Sequence, residues 1–401
     1  MTYDVAAVRS HFPALSAGAA HFDGPGGSQT PTPVADAVAA TLTAAIANRG
    51  TVTPAEQRAE DVVAECRSAL ADLLGADPRG IVFGRSATDL TYDFARTLAK
   101  TWSAGDEVVV SRLDHDANVR PWVQAAAAAG ASVKWIDFDP TTRELTTDDL
   151  AAVLSPRTRL VAVTAASNLI GTMPDIPALV RATRERSDAR VYVDGVHYTA
   201  HASVDLAASG ADFWACSPYK FLGPHCGVVA ADPGLLETLE PDKLLPSTNV
   251  VPERFELGTL PYELMAGASA AVDFLAGLGP EHQGTRRERL ITAYAAIQAH
   301  EDGLLAVLEP ALRELPGVTV YSNDAHRTPT LLFTVAGRDP QEIRAGLAQR
   351  AINAPAGHFY AIECSRHLGL GDTGGGRVGL APYTDAEDID RLLRALRELL
   401  C

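Results

Sequence analysis

The chain has 401 residues, a formal net charge of −16 and 47% hydrophobic residues. This length exceeds one ordinary hydrophobic core, so we expect one large α/β domain and a smaller companion. The negative charge argues against general binding of nucleic acid or anionic membranes, so neither is an expected partner. No stretch is long and apolar enough to span a bilayer, and the first residues lack the apolar core of a signal peptide.

The five cysteines are scattered along the chain as Cys66, Cys216, Cys226, Cys364 and Cys401. An odd number, with no CxxC or Cys/His spacing, argues against a disulfide framework and against a metal site. Reduced cysteines are usual in the cytoplasm, which is therefore the predicted location.

Two helices are predicted first, at residues 31–48 and 54–74, and the earlier one has proline near its start. From about residue 80, short apolar runs alternate with helix-period segments such as 89–102 and 176–186. This alternation predicts an α/β fold with a largely parallel, seven-stranded sheet covered by helices on both faces. The predicted strands are 81–84, 107–111, 133–138, 160–166, 191–195, 212–217 and 227–231.

After about residue 260 the pattern changes to α+β, which indicates a second domain. The predicted elements there are helices 262–278 and 286–315, the latter broken near Gly303, strands 318–322 and 330–335, and helices 340–350 and 386–400. We place the large domain at 16–262, and we assign 1–15 and 263–401 to the small domain.

An acid and a lysine follow two neighbouring predicted strands. Asp194 ends one apolar run, and Lys220 follows the next run in the sequence SPYK. Parallel strands end at one edge of the sheet, where α/β folds bind their ligands. Pyridoxal phosphate (PLP) forms a Schiff base with a lysine and needs a carboxylate against its pyridinium nitrogen. A structural ion pair is the alternative, and these two residues alone leave both interpretations open.

Other predicted strands also end on suitable groups, which favours PLP. The N–H groups that open the helix after Ser86 and Thr88 would bind a phosphate, although a plain N-cap gives the same pattern. His115 could stack on the pyridine ring or be an ordinary loop histidine. Asn168 could donate to the phenolic oxygen or serve a turn. Five strand ends that each offer the required group predict PLP as the cofactor.

The expected chemistry assigns a role to each of three residues. Asp194 would keep the ring nitrogen protonated, so that the ring withdraws electrons from the bonds at the substrate Cα. Lys220, released when an amino acid replaces it in the Schiff base, becomes the base for the Cα proton. Arg377, in GGGRVG, is the candidate for binding the α-carboxylate because a guanidinium binds carboxylates in bidentate fashion. A solvated surface arginine is the alternative there.

The chain resembles the class V aminotransferase family of fold-type-I PLP enzymes over nearly its whole length. Within that family it is most similar to the cysteine desulfurase and selenocysteine lyase branch. The motifs that carry this resemblance are FDGPGG (22–27), RLDHDANV (112–119), ASNLIG (166–171), VDGVHY (193–198), CSPYKFLGP (216–224) and RFELGT (254–259).

The resemblance implies that Lys220 holds PLP, that Asp194 pairs with the ring nitrogen and that His115 lies on the ring face. It implies further cofactor contacts by Ala87, Thr88, Asn168, His197, Ser217, Tyr219 and Thr259. Desulfurases usually carry Gln where this chain has His197, and His where it has Tyr219. Thr259 would reach the phosphate of a neighbouring subunit, which implies a homodimer with shared active sites. The implied substrate-side residues are Gly27, Arg49, His358, Tyr360 and Arg377.

The largest departure from the desulfurases concerns their sulfur acceptor. Those enzymes carry a mobile cysteine in a loop reading roughly RxGHHC, and it accepts sulfur as a persulfide. The matching loop here is PAGHFY (355–360), with Tyr360 in the place of the cysteine. Cys364 falls on a predicted helix, 360–367, where a cysteine usually packs as a small hydrophobe. An acceptor thiolate must instead be exposed and activated.

Without an acceptor thiol, a carbon–sulfur β-lyase fits best. Such an enzyme would act on a cysteine conjugate or its sulfoxide and release pyruvate and ammonia. One alternative is a cysteine desulfurase or selenocysteine lyase that uses Cys364 or needs no acceptor. Others are an aminotransferase, an epimerase or a PLP-dependent cyclase acting on an unusual amino acid. A non-enzymatic PLP-fold protein is also considered, but it would not need Lys220, Asp194 and Arg377 together.

Overall fold

The computed structural model describes residues 3–280, 283–322 and 326–400. Its helices are α1 (Val5–Arg9), α2 (Thr32–Thr43), α3 (Pro54–Leu74), α4 (Ala87–Ala99), α5 (Arg120–Ala129), α6 (Thr147–Ala151), α7 (Ile176–Arg186), α8 (Leu206–Ser209), α9 (Pro233–Glu237), α10 (Tyr262–Ala276), α11 (Arg286–Arg313), α12 (Pro340–Ala348), α13 (Ile362–His367) and α14 (Ala386–Leu400). Its strands are β1 (Ala20–His21), β2 (Ile81–Gly84), β3 (Glu107–Ser111), β4 (Ser132–Ile136), β5 (Thr158–Thr164), β6 (Arg190–Asp194), β7 (Phe213–Cys216), β8 (Gly227–Ala231), β9 (Val318–Val320), β10 (Thr330–Val335), β11 (Ile352–Asn353), β12 (Ala356–Gly357) and β13 (Gly375–Gly379).

Seven strands form the central sheet in the order β2-β8-β7-β6-β5-β3-β4. The strands from β7 to β4 are parallel, whereas β8 and β2 are antiparallel to their neighbours. Val109 and Val161 pack into the hydrophobic cluster on one face, and Val108 and Leu160 pack into the cluster on the other. Because helices cover both faces, these strands are apolar throughout. The predicted α/β fold with a mostly parallel, seven-stranded sheet is confirmed.

The predicted elements lie close to the observed ones, with two differences among the helices. The helix predicted at 31–48 ends at Thr43, and Ala44 is extended. The predicted break near Gly303 is wrong, since α11 runs without interruption from Arg286 to Arg313. A glycine costs a helix only about 1 kcal/mol. Several buried side chains anchor α11 on both sides of that exposed position, among them Ile297, Leu305, Leu308 and Leu312.

A second, four-stranded antiparallel sheet has the order β12-β13-β10-β9. Leu308 of α11 and Leu392 of α14 pack into its hydrophobic cluster, together with Phe22 from the start of the chain. Strand β1 pairs in parallel with β11, so the N-terminal segment is tied to this region. The limits of the large domain at 16–262 and of the small domain at 1–15 and 263–401 stay a prediction. None of the described helices is long and apolar enough to cross a membrane.

Candidate active site

A cavity of about 680 Å³ opens where β3, β5, β6 and β7 end. This is the edge at which parallel sheets bind their ligands. Most of the predicted site residues line it, although they come from distant parts of the chain. They are Ala87, Thr88, His115, Asn168, Asp194, His197, Ser217, Tyr219, Lys220, Tyr360 and Arg377.

Four predicted residues, all within the described part of the chain, are not among those lining this cavity. They are Gly27, Arg49, Thr259 and His358. Arg49 is instead bound by two carboxylates, 2.9 Å from Glu60 and 3.1 Å from Glu253. Thr259 lies on the exposed surface. The roles of these four residues stay predictions.

Lys220 closes a short 3₁₀ turn that follows β7, and this turn directs its side chain into the cavity. Its ammonium group donates a hydrogen bond to the carbonyl oxygen of Pro25. Burial, followed by the charge of Arg377, lowers the pKa of Lys220 to about 7 in spite of Asp23 and Asp194. A lysine with this pKa is substantially neutral near pH 7, so its nitrogen can act as a nucleophile and as a base.

We expect the amine of Lys220 in the cofactor-free protein to become reactive as the pH rises through about 7, because burial lowers its pKa to that value. An ordinary lysine becomes reactive only near pH 10.4. Competitive labelling with acetic anhydride over a pH series, read by mass spectrometry of peptides, measures the pH at which each lysine amine becomes reactive. Lys243 is the matched control, since it is held by the carbonyl of Ser247 outside the cavity. Identical labelling curves for the two lysines would contradict the expectation.

Asp194 is the last residue of β6 and is buried. The backbone N–H of Val196 donates to its Oδ1 at 2.9 Å, which fixes the orientation of the carboxyl group. Burial raises the pKa of Asp194 to about 6, against the opposing effects of that hydrogen bond and of Lys220. A cationic N–H in the cavity would supply the partner that a buried carboxylate requires.

His115 lies just after β3 and is held as a neutral ring. Burial, followed by the charge of Lys220, lowers its pKa to about 4. The backbone N–H of Ala117 donates to Nδ1 at 3.1 Å, so the neutral ring carries its proton on Nε2. The ring centroid lies 5.5 Å from that of Tyr360. His115 therefore offers a flat, uncharged face at the cavity wall.

The start of α4 forms another part of the wall through Ala87 and Thr88. Ser86 is the N-cap, and the Asp89 N–H donates to its hydroxyl at 3.0 Å, so the plain N-cap interpretation is correct for that side chain. Gly227 of β8 allows strand and helix to approach closely. A Cβ at Gly227 would lie 2.1 Å from the carbonyl carbon of Ser86. The N-terminus of this 13-residue helix remains suited to an anion.

Arg377 lies on β13 and is only 1% exposed, so the alternative of a solvated surface arginine is wrong. Its Nη2 donates to Asp23 Oδ1 at 2.6 Å, and its Nη1 donates to the Asn168 carbonyl at 2.9 Å. The guanidinium carbon lies 3.7 Å from the centroid of the Phe359 ring. These contacts fix a guanidinium, the group that best binds a carboxylate, at the cavity wall.

Sequence reasoning missed several polar residues of the cavity. Asp23, Asp116 and Arg120 line it, and Arg120 Nη2 lies 2.9 Å from Asp116 Oδ1. Asp23 and Asp116 both fall inside motifs that carried the family resemblance, at 22–27 and 112–119. Their place inside these motifs was the signal that could have identified them.

Three buried polar atoms of the cavity residues have no hydrogen-bond partner among the described residues, namely Asn168 Oδ1, His197 Nδ1 and Arg377 Nε. Buried polar atoms are normally paired, so such atoms in a cavity wall are typical of a ligand site. They lie in the same wall as the amine of Lys220 and the carboxylate of Asp194. This set of donors and acceptors fits PLP, which needs a lysine, an acid at its nitrogen and polar groups at its edge.

The fold and this cavity define a fold-type-I PLP enzyme. The family model described as "Aminotransferase class-V" matches residues 20–392, and the chain belongs to that family. PLP is therefore the cofactor. An uncharacterised protein of Mycobacterium tuberculosis is 34% identical over 405 residues, and the match covers 100% of both chains.

Solved structures show the same relationship. The cysteine desulfurase CsdA of Escherichia coli has a TM-score of 0.88 and 26% identity, with 100% of both chains covered. A mutant of the protein C-DES, with glycine covalently linked to its PLP cofactor, has a TM-score of 0.80 and 24% identity. That match covers 97% of this chain and 99% of the other. The chain is thus a cysteine desulfurase-like PLP enzyme.

Proposed function

We propose that this enzyme is a carbon–sulfur β-lyase acting on an S-substituted cysteine or its sulfoxide, with release of pyruvate and ammonia. The observation that carries this proposal is the position of the thiols relative to Lys220. Tyr360 stands at the cavity where desulfurases carry their acceptor cysteine, and Cys364 is 0% exposed. A desulfurase that passes sulfur to a protein thiol needs a reachable thiolate.

Cys364 lies within α13, and burial raises the pKa of its thiol. A thiol that is both inaccessible and protonated is a poor nucleophile. The other described cysteines, Cys66, Cys216 and Cys226, are also buried, and Cys401 lies outside the described residues. These positions support a reaction whose sulfur product leaves as a small molecule.

The loop that contains Tyr360 is held in place at two points. The amide of Asn168 donates to the Phe359 carbonyl at 2.9 Å, and the Asp116 N–H donates to the Tyr360 carbonyl at 2.8 Å. Phe359 and Tyr360 have φ angles of 50° and 60°, which side-chain-bearing residues rarely adopt. A fixed loop supports a role in shaping the substrate site rather than in carrying a sulfur atom.

The bound PLP ring supplies an electron sink that weakens the bonds at the substrate Cα. In our proposal Arg377 binds the α-carboxylate and thereby orients the Cα–H bond. The neutral Nζ of Lys220 accepts the Cα proton, which its lowered pKa permits. Asp194 keeps a proton at the ring nitrogen, and His115 packs on the ring through an uncharged face. The thiolate or sulfenate on Cβ is the leaving group.

The residues at the cavity mouth support the proposal that the substrate side chain is larger than that of cysteine. The Tyr360 side chain lines the cavity and is 71% exposed, and Phe359 lies next to it. The Asp116–Arg120 ion pair provides polar atoms at the same cavity. Aromatic rings with a neighbouring polar pair suit an apolar S-substituent that ends in a polar group.

We also propose that the enzyme is a homodimer with shared active sites. Thr259, the residue assigned to the neighbouring subunit's phosphate, lies on the surface rather than in its own cavity. Apolar side chains near it in sequence are exposed, with Leu245 at 98%, Val250 at 64% and Leu257 at 56%. In our proposal these side chains belong to the contact between subunits, since contiguous exposed apolar surface is typical of protein–protein contacts.

Product analysis with the PLP-loaded enzyme tests the lyase proposal. We expect S-substituted L-cysteines and their sulfoxides to give pyruvate and ammonia in equal amounts, without a 2-oxo acid being added. A Cys364→Ala variant is expected to form pyruvate at the wild-type rate because that thiol is buried away from the cavity. Alanine with persulfide, lost in Cys364→Ala, would establish a desulfurase instead. Turnover that requires a 2-oxo acid would establish an aminotransferase.

A further inference from the structure

A second, much smaller cavity is lined by Lys220 and by Leu275 of α10. Its volume is about 10 Å³, close to the minimum that holds one water molecule. Three of its lining residues carry polar side chains, namely Ser28, His201 and Lys220. Its other lining residues have no polar side chain. A buried water typically makes about three hydrogen bonds. His201 and Lys220 can supply two of them. The Ser28 hydroxyl already donates to the Tyr219 carbonyl at 3.0 Å and accepts from the Leu222 N–H at 2.8 Å, so it can only accept the third.

His201 forms a buried pair with Glu301 of α11. Its Nδ1 lies 3.0 Å from Glu301 Oε2, and the two side chains are 5% and 1% exposed. His201 Nε2 is buried with no hydrogen-bond partner among the described residues. A buried carboxylate favours a donor, so the neutral ring carries its proton on Nδ1 and leaves Nε2 as an acceptor.

We propose that a water molecule in this small cavity connects the Lys220 amine to His201, and that the His201–Glu301 pair exchanges the proton that Lys220 removes from the substrate Cα. In this step the Lys220 ammonium gives one proton to the water, and the water gives one proton to His201 Nε2. The resulting imidazolium is balanced by the Glu301 carboxylate, so no net charge stays unpaired. The reverse step returns the proton.

Other titratable groups around the pair are not positioned to replace it. The His197 ring lies 5.0 Å from the His201 ring, and its Nε2 is bonded to the hydroxyls of Thr328 and Thr330. Its Nδ1 has no partner among the described residues, but burial lowers the pKa of His197 well below its ordinary value, so this ring is a poor proton acceptor. Burial raises the pKa values of three nearby tyrosines, Tyr3, Tyr294 and Tyr383, and the negative charge of Glu301 raises them further. They therefore stay neutral. In our proposal His201 acts on the substrate only through Lys220, with which it exchanges a proton. It is therefore a positioning residue rather than a catalytic one.

This inference rests on the role of Lys220 as the base in the proposed function, so its test uses a reaction that needs no elimination. The PLP-loaded enzyme is placed with L-alanine in deuterium oxide, and loss of the Cα proton is followed by NMR. His201→Gln is expected to slow this exchange by about tenfold or more, with the half-saturating alanine concentration unchanged. Glu301→Gln is expected to slow it as well.

His300→Gln is the matched control, because His300 lies beside Glu301 on α11 but bonds the Thr384 carbonyl. It is expected to exchange at the wild-type rate. Equal exchange in wild type and His201→Gln would overturn the proposal, and so would exchange that persists in Lys220→Ala. Absence of exchange in the wild-type enzyme would overturn it too. If exchange depends on His201 but cysteine conjugates give no pyruvate, the lyase proposal fails and this inference stands.

A second measurement needs no cofactor and no turnover by a variant. Nitrogen-15 NMR of the histidine-labelled, cofactor-free protein reports which ring nitrogen of His201 carries the proton, with His201→Gln used only for assignment. We expect a protonated Nδ1 and an unprotonated Nε2. A proton found on Nε2 would remove the acceptor and overturn the proposal.

Discussion

Replacing Lys220 with alanine is expected to lower turnover by about 10³-fold or more, because in our proposal this residue holds the cofactor and moves the Cα proton. Its amine is buried at the wall of the large cavity, and burial lowers its pKa to about 7. The variant is measured by pyruvate release at saturating substrate, and by Cα-proton exchange with L-alanine.

Lys243→Ala is the control for this variant, since Lys243 contacts the Ser247 carbonyl and lies outside both cavities around Lys220. It is expected to keep wild-type turnover. A Lys220→Ala enzyme that keeps a tenth of the wild-type rate or more would show that another group removes the proton.

Replacing Arg377 with lysine is expected to lower kcat/KM by about 10²-fold. Lysine cannot bind a carboxylate in bidentate fashion, and each hydrogen bond to a charged group contributes about 1.5–3 kcal/mol. The change preserves the positive charge, so the effect isolates the geometry of the guanidinium. In the wild-type chain that group is fixed by Asp23, by the Asn168 carbonyl and by the Phe359 ring. Steady-state kinetics with the best S-substituted cysteine measures the loss.

Arg327→Lys is a matched control, because Arg327 is also mostly buried and is paired with Glu309 away from the large cavity. Both variants are expected to lower the thermal midpoint, since each weakens a largely buried ion pair. Only Arg377→Lys is expected to lower kcat/KM. Equal kinetics for the two variants would show that Arg377 is structural.

The sheet was predictable because its strands are buried on both faces and read as apolar runs between helix-period segments. The same pattern identified the strand ends, and with them Asp194, Lys220, His115 and Asn168. PLP then followed from the chemistry of those groups. Each of these predictions depends on local sequence and on one rule about parallel strands.

Contacts between distant segments could not be predicted in this way. Asp23 meets Arg377 across 354 residues, and periodicity gives no sign of that pairing. The left-handed conformation of Phe359 and Tyr360 depends on hydrogen bonds from Asn168 and Asp116. The uninterrupted α11 likewise depends on tertiary packing that outweighs the propensity of Gly303.

The Asp23–Arg377 pair affects which anions the cavity can hold. The guanidinium already donates to Asp23 through Nη2 and to the Asn168 carbonyl through Nη1, whereas its buried Nε has no partner among the described residues. A carboxylate that binds Arg377 therefore meets the negative charge of Asp23 as well as the positive charge of the guanidinium. The pair should favour ligands with one carboxylate over ligands with two.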